Sequence, residues 1–184
     1  MNENVSQQIA GQIKQRRALL GWSLDRLSAA SGVSKAMLGQ IERQESSPTV
    51  ATLWKIATGL SCSFSDLIED SDSPVSVKQS EKPVKGDDFF KVKTLFRFDP
   101  HTRLEMFELT ISQHHCQWSE PHSVGVQEHI VVQSGALRLY FDGRWHELKG
   151  GDSCRFYADQ PHAYEDCSGE TRFIDVIYYP LTES

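Results

Sequence analysis

The sequence predicts two domains of opposite secondary structure, an all-α half followed by an all-β half. Three observations carry this. Apolar residues before position 69 recur at helical spacing, those after position 88 alternate with a period of two, and the stretch between shows no apolar periodicity. The expected boundaries are a helical domain over 1–69, a linker rich in Ser, Lys, Pro and Gly over 70–87, and a strand domain over 88–184. A length of 184 residues suits two small domains, and apolar and aromatic shares of 39% and 10% are enough to bury cores, which excludes wholesale disorder.

In the helical half, Ile9, Ile13, Leu19 and Leu20 fit a first helix closed by Gly21. Ser23 can cap a second helix with Leu24, Leu27 and Ala30, and Gly32 supplies the backbone angle that ends it. Ser34 can cap a third, with Met37, Leu38 and Ile41 as its buried stripe. Ser47-Pro48-Thr49 breaks the chain before a fourth helix with Val50, Leu53, Trp54, Ile56 and Ala57; Ser63 opens a fifth with Phe64, Leu67 and Ile68. In the second half, Phe107, Leu109 and Ile111 alternate with polar residues, as do Leu137 and Leu139. Asp142-Gly143 between Ala136–Phe141 and Arg144–Leu148 is a two-residue hairpin signal. Gly150-Gly151 and Ser168-Gly169 mark further turns, and short strands so spaced suggest an antiparallel sandwich or barrel.

Residues 1–69 hold seven Lys/Arg against six Asp/Glu, and residues 70–184 hold twelve against nineteen, so the first half carries +1 and the second −7 of the net −6. That acidity argues against a nonspecific nucleic-acid coat but leaves room for a local binding face. The longest apolar runs, such as Ile130-Val131-Val132, fall far short of the roughly 18 residues of a membrane helix. The polar start Met1–Val5 has no apolar signal core, and Cys62, Cys116, Cys154 and Cys167 form no Cys-x-x-Cys pair. A cytoplasmic protein with reduced thiols and no membrane partner is expected.

Helices two and three with the turn Ser31-Gly32-Val33 form a helix-turn-helix, with Leu27, Val33, Leu38 and Ile41 inside and small Ser28 where the helices cross. The outer face of helix three then carries Ser34, Lys35, Ala36, Gly39, Gln40 and Arg43. A bidentate amide, two cations and small residues suit a helix entering the DNA major groove. Gly39, which costs about 1 kcal/mol of helix stability, is expected to let backbone approach a base or phosphate. Lys35, Arg43 and the start of helix four near Thr49 are candidate phosphate contacts.

This region closely resembles the Cro/repressor-like helix-turn-helix of XRE-type bacterial regulators. The matching residues are Ser23-Leu24-Asp25-Arg26-Leu27, Ser31-Gly32-Val33-Ser34, Leu38-Gly39-Gln40-Ile41-Glu42-Arg43, and Ser47-Pro48-Thr49 followed by Leu53-Trp54-Lys55-Ile56-Ala57. Ser28 departs from the usual Ala and Gln44 from the common Gly. The resemblance implies operator DNA as partner and pairs Arg17 with Glu42 as a structural salt bridge.

All seven histidines lie beyond the linker. His122, Glu128 and Gly135, followed by Gly151-Asp152 and then His162, resemble the two motifs of the cupins, whose fold is a double-stranded β-helix or jelly-roll barrel. Val124 replaces the second motif histidine, and Tyr157 and Asp159 stand where Pro and Gly are usual. The resemblance implies that His122, Glu128 and His162 meet inside a barrel, where two imidazoles and a carboxylate suffice for a divalent ion, Zn²⁺ first and Fe²⁺ behind it. The alternative is a degenerate site that hydrogen-bonds an effector directly. Adjacent residues on a strand face opposite ways, which puts His129 outside and sets His114-His115-Cys116 aside. Tyr164 and Asp166 share the face of His162 and, with Trp118, are the expected effector-pocket residues.

The reading is a sequence-specific transcriptional regulator with no catalytic residues, a homodimer on a palindromic operator whose cupin domain senses a small polar metabolite. A metal-dependent cupin enzyme, a dioxygenase or isomerase, fused to a DNA reader is the alternative; the lost ligand at Val124 counts against it.

Overall fold

The computed structural model describes residues 3–68 and 89–181. The chain divides into two compact units between Ser76 and Val77. The linker expected over 70–87 lies outside the described residues.

Unit one contains α1 (Glu3–Leu19), α2 (Leu24–Ser31), α3 (Lys35–Glu42), α4 (Val50–Gly59) and α5 (Ser65–Ile68). Local hydrogen bonds set where these helices begin. Ser23 Oγ accepts from the Arg26 N–H at 3.1 Å, Ser34 Oγ from Met37 at 3.2 Å and Thr49 Oγ1 from Thr52 at 3.1 Å. At α5 the capping is reciprocal: Ser63 Oγ accepts from the Asp66 N–H and an Asp66 oxygen accepts from the Ser63 N–H, both at 3.2 Å. The core is Ile9, Ile13, Leu27, Leu38, Ile41, Leu53, Ile56, Phe64 and Leu67.

Two expectations are corrected here. Leu19 and Leu20 are exposed, because α1 ends at Leu19 and its inner stripe stops at Ile13. Met37 is also exposed. It lies about 100° around α3 from Leu38, and Leu38 with Ile41 already fills the inner face. Ser28 is half-buried, and α2 meets α4 at a close contact between Ser31 and Gly59. A Cβ on Gly59 would lie 2.7–2.9 Å from the Ser31 backbone and Cβ.

Unit two contains β1 (Phe90–Asp99), β2 (Leu104–Ser112), β3 (Cys116–Ser119), β4 (Gln127–Ser134), β5 (Ala136–Phe141), β6 (Arg144–Lys149), β7 (Ser153–Tyr157), β8 (His162–Asp166) and β9 (Glu170–Tyr178). They form two antiparallel sheets, ordered β1-β2-β9-β4-β7 and β3-β8-β5-β6, rather than one closed ring. The β5–β6 hairpin turns at Asp142-Gly143 with φ of +51° and +73°, the left-handed pair that a two-residue turn of this kind needs. Gly135 has φ of +86°, and a Cβ there would meet the Glu170 carbonyl oxygen at 2.5 Å. The core between the sheets joins Phe107, Ile130, Phe173 and Ile177 to Leu137, Leu139 and Phe141. Ring contacts cross it: Phe141 stacks on Phe156 at 4.9 Å and Tyr164 on Phe173 at 5.5 Å.

Candidate nucleic-acid interface and metal centre

The sequence turns α3 so that Leu38 and Ile41 face the core, which leaves Ser34, Lys35, Ala36, Gln40 and Arg43 exposed on the opposite side; Thr49 is exposed at the start of α4. Gly39 is buried, with the Arg43 guanidinium and Leu24 packed over it, so its missing side chain makes room for Arg43. Lys35 Nζ donates to Asp25 at 2.8 Å, and Arg43 donates through Nε and Nη2 to the two oxygens of Glu45, each at 2.8 Å. Thr49 serves as a helix cap.

Behind this face, Arg17 donates to both oxygens of Glu42 at 2.7 and 2.8 Å and to the Trp22 carbonyl at 2.6 Å. The Glu42 hydrogen bond raises the Arg17 pKa despite partial burial. With its donors so committed, Arg17 is scaffold.

In unit two, β4 and β8 bring the metal-type residues together. Glu128 and His162 are buried, and one Glu128 oxygen lies 3.0 Å from His122 Nε2 and 3.3 Å from His162 Nε2. The three ligand atoms all fall within 4.8 Å of one another. His122 is placed by its backbone N–H, which donates to the Ala158 carbonyl at 2.9 Å. His162 Nδ1 lies 2.9 Å from the Gln160 carbonyl, which can only accept; Nδ1 therefore carries the proton and Nε2 faces inward. His162 Nε2 has no hydrogen-bond partner among the described residues. A buried ring nitrogen and a carboxylate oxygen converging without a donor between them call for a cation, either a proton or a metal ion. The donor set fits a divalent ion.

The electrostatics agree with that need. Burial pushes the Glu128 carboxyl up, but the charge of His162 and hydrogen bonding from His122 outweigh it and hold the group below the usual carboxylate range. Burial lowers the His162 imidazole, yet the Glu128 charge wins and raises it. The other Glu128 oxygen accepts from the Tyr164 hydroxyl, whose pKa burial and the Glu128 charge push well up, so it stays a donor.

The expected effector residues are placed differently. Trp118 is 53% exposed and lies outside, in an aromatic group with Tyr140 at 5.1 Å and Trp145 at 6.1 Å. The β3–β8 register explains this: Ser119 and Gln117 pair with the inward His162 and Tyr164, which turns Trp118 outward with Ala163. Asp166 is buried but engaged. It accepts from the backbone N–H of His114 and Ser168 and from the Thr171 hydroxyl, at 2.7–3.0 Å, and so ties loops. Tyr164 is inward but is committed to Glu128. His129 contacts the Val176 carbonyl through Nδ1 at 3.3 Å, away from the triad.

Sequence reading missed two interior carboxylates. Glu105 and Glu128 flank Ile177 in one row across β2–β9–β4, and Asp175 sits in the next row on the same face. Alternation held the signal, since Asp175 falls between Phe173 and Ile177, and Glu105 precedes Phe107 by two. Glu105 accepts from the Tyr179 hydroxyl. Asp175 Oδ1 has no partner among the described residues, and burial, then the charges of Glu128 and Glu105, push this carboxyl well up. Raised in the fold, Asp175 keeps its proton where the unfolded chain, with an ordinary value of about 3.9, loses it. Stability therefore falls as pH rises above that value. Asp175→Asn is expected to stabilise unit two at pH 7 by about 1–3 kcal/mol, with the gain vanishing near pH 3. Urea midpoints at the two pH values check this.

Comparisons with known proteins place both units. Residues 13–67 match the helix-turn-helix family HTH_3 and residues 108–177 match the Cupin_2 domain family. The chain is 44% identical over 180 residues to the HTH-type transcriptional regulator SutR of Escherichia coli (strain K12), covering 97% of this chain and 98% of that one. A crystal structure of an HTH_3 family transcriptional regulator from Vibrio cholerae matches at 43% identity and a TM-score of 0.85, covering 98% of this chain and all of that one. The Cupin_2 domain of an XRE family regulator from Enterobacter cloacae matches 51% of this chain at 36% identity and a TM-score of 0.50, over its whole length. No described helix is long and apolar enough to cross a membrane. Matched over nearly its whole length at more than 40% identity by transcriptional regulators, the chain belongs to the XRE-type helix-turn-helix transcriptional regulators that carry a C-terminal cupin domain.

Proposed function

We propose that residues 1–69 read an operator as one half of a homodimer, that residues 70–87 link them to the cupin domain of residues 88–184, and that the protein works in the cytoplasm. Gln40 and Arg43 contact base edges, Ser34 and Ala36 line the close approach, and Lys35 and Thr49 hold phosphates. The observation that carries this reading is the exposed polar face of α3 above a fully buried Leu38–Ile41 face. Lys35 must exchange Asp25 for a phosphate to do so, and the exposed pair it leaves is worth little.

His122, Glu128 and His162 hold a divalent ion, zinc before iron, whose chemistry is to polarise and anchor a ligand atom. An interior with four buried carboxylates and two tyrosine hydroxyls suits a small polar, zwitterionic effector better than a lipid. Effector binding then shifts the population of DNA-competent dimers.

Selection from randomised duplexes by the full chain tests the operator reading. The expected product is a two-fold symmetric motif with half-sites about one helical turn apart. Enrichment that ignores sequence and collapses with salt would instead mark a nonspecific binder.

A further inference from the structure

We propose that Glu45 is a specificity-determining residue, which clamps Arg43 so that its free edge reads a guanine in each half-site; this rests on the operator reading above. The argument begins with backbone. α3 ends at Glu42, and Gln44 then adopts φ of +64°, a left-handed turn rare for a residue with a side chain. That turn folds Glu45 back, and its N–H donates to the Gln40 carbonyl at 2.8 Å, which pins it beside the base-facing positions.

From there both Glu45 oxygens take the side edge of the Arg43 guanidinium, Nε and Nη2, at 2.8 Å each. A guanidinium has five N–H groups in a fixed fork. The clamp uses one on Nε and one on Nη2. The end edge, formed by Nη1–H and the second Nη2–H, remains, and that pair matches guanine O6 and N7.

Gly39 supplies the third part. Side chains on a helix lean toward its N-terminus, so Arg43 folds back along the row Lys35–Gly39–Arg43, next to Ala36 and Gln40. A Cβ at Gly39 would lie 3.0 Å from Arg43 Nη1, so glycine there leaves the space the guanidinium occupies. An exposed pair of this kind adds little to fold stability. A carboxylate on a DNA-facing surface also repels phosphates. Fixing the orientation of a reading arginine offsets that repulsion: Glu45 lowers affinity for any duplex and raises the difference between right and wrong bases.

The test is selection from randomised duplexes by the full chain and its Arg43→Ala, Glu45→Ala and double variants, then competition binding at one salt concentration. Both side chains are half-exposed or more, so the variants keep the fold, which circular dichroism confirms. Arg43→Ala is expected to lose the preference for guanine at one position of each half-site. Glu45→Ala is expected to weaken that same preference by about tenfold, leave binding to unselected duplex unchanged or tighter, and add nothing in the double variant. Unaltered guanine preference in Glu45→Ala, even with uniformly tighter binding, would overturn the proposal and leave the operator reading standing. A wild-type chain that selects no motif would overturn both.

Discussion

Alanine at both Gln40 and Arg43 is expected to lower the affinity of the full chain for its selected operator by at least about 100-fold, with binding to unselected DNA held within about threefold. Each residue offers a bidentate edge, and one good bidentate contact discriminates between bases by about 5- to 150-fold. Neither side chain supports the core, which Leu38 and Ile41 supply from the other side of α3. The loss therefore falls on recognition and not on folding. Fluorescence anisotropy at fixed salt measures it, and affinity within threefold of wild type would place base reading elsewhere on the domain.

His162→Ala is expected to reduce bound zinc from about one ion per chain to below about 0.1 after dialysis against a weak chelator. Loss of an outer-shell partner alone costs about 10- to 100-fold in metal affinity, and loss of a direct ligand costs more. His162 is buried, with its inward Nε2 aimed at the Glu128 carboxylate, so no neighbouring residue takes over its role. Tyr164→Phe removes only the hydroxyl that orients Glu128 and is expected to weaken binding by about tenfold. His129→Ala serves as the control, since that ring turns to the Val176 carbonyl. Metal analysis of the purified chains separates the three, and zinc retained at full occupancy in His162→Ala would show that the ion lies elsewhere.

What could be read from sequence was what chemistry decides locally or through fixed spacing. Ser23 and Ser34 cap helices because a hydroxyl reaches an N–H three residues on, a distance independent of the rest of the fold. Asp142-Gly143 closes its hairpin because two adjacent positive φ angles exclude most other pairs. The convergence of His122, Glu128 and His162 was what the resemblance to the cupin motifs implied. The failures share a different cause. Trp118 faces outward because of how a four-residue strand registers on β8, and a shift of one residue reverses every side chain. Asp166 has the right face but is taken up by backbone N–H groups of two loops and a hydroxyl on β9. Glu45 becomes relevant only once Gln44 turns the chain, and a single residue type seldom announces such an angle.

The Arg17–Glu42 bridge fastens the end of α1 to the last residue of α3. The long N-terminal helix and the groove helix thus form one stiff lever, without an internal hinge at that joint. Switching by tilting the groove helix inside its own domain would first have to break a bidentate, largely shielded contact. In the dimer proposed above, control is therefore expected to act on how two intact heads are spaced, or whether they are covered, and not on the shape of either one.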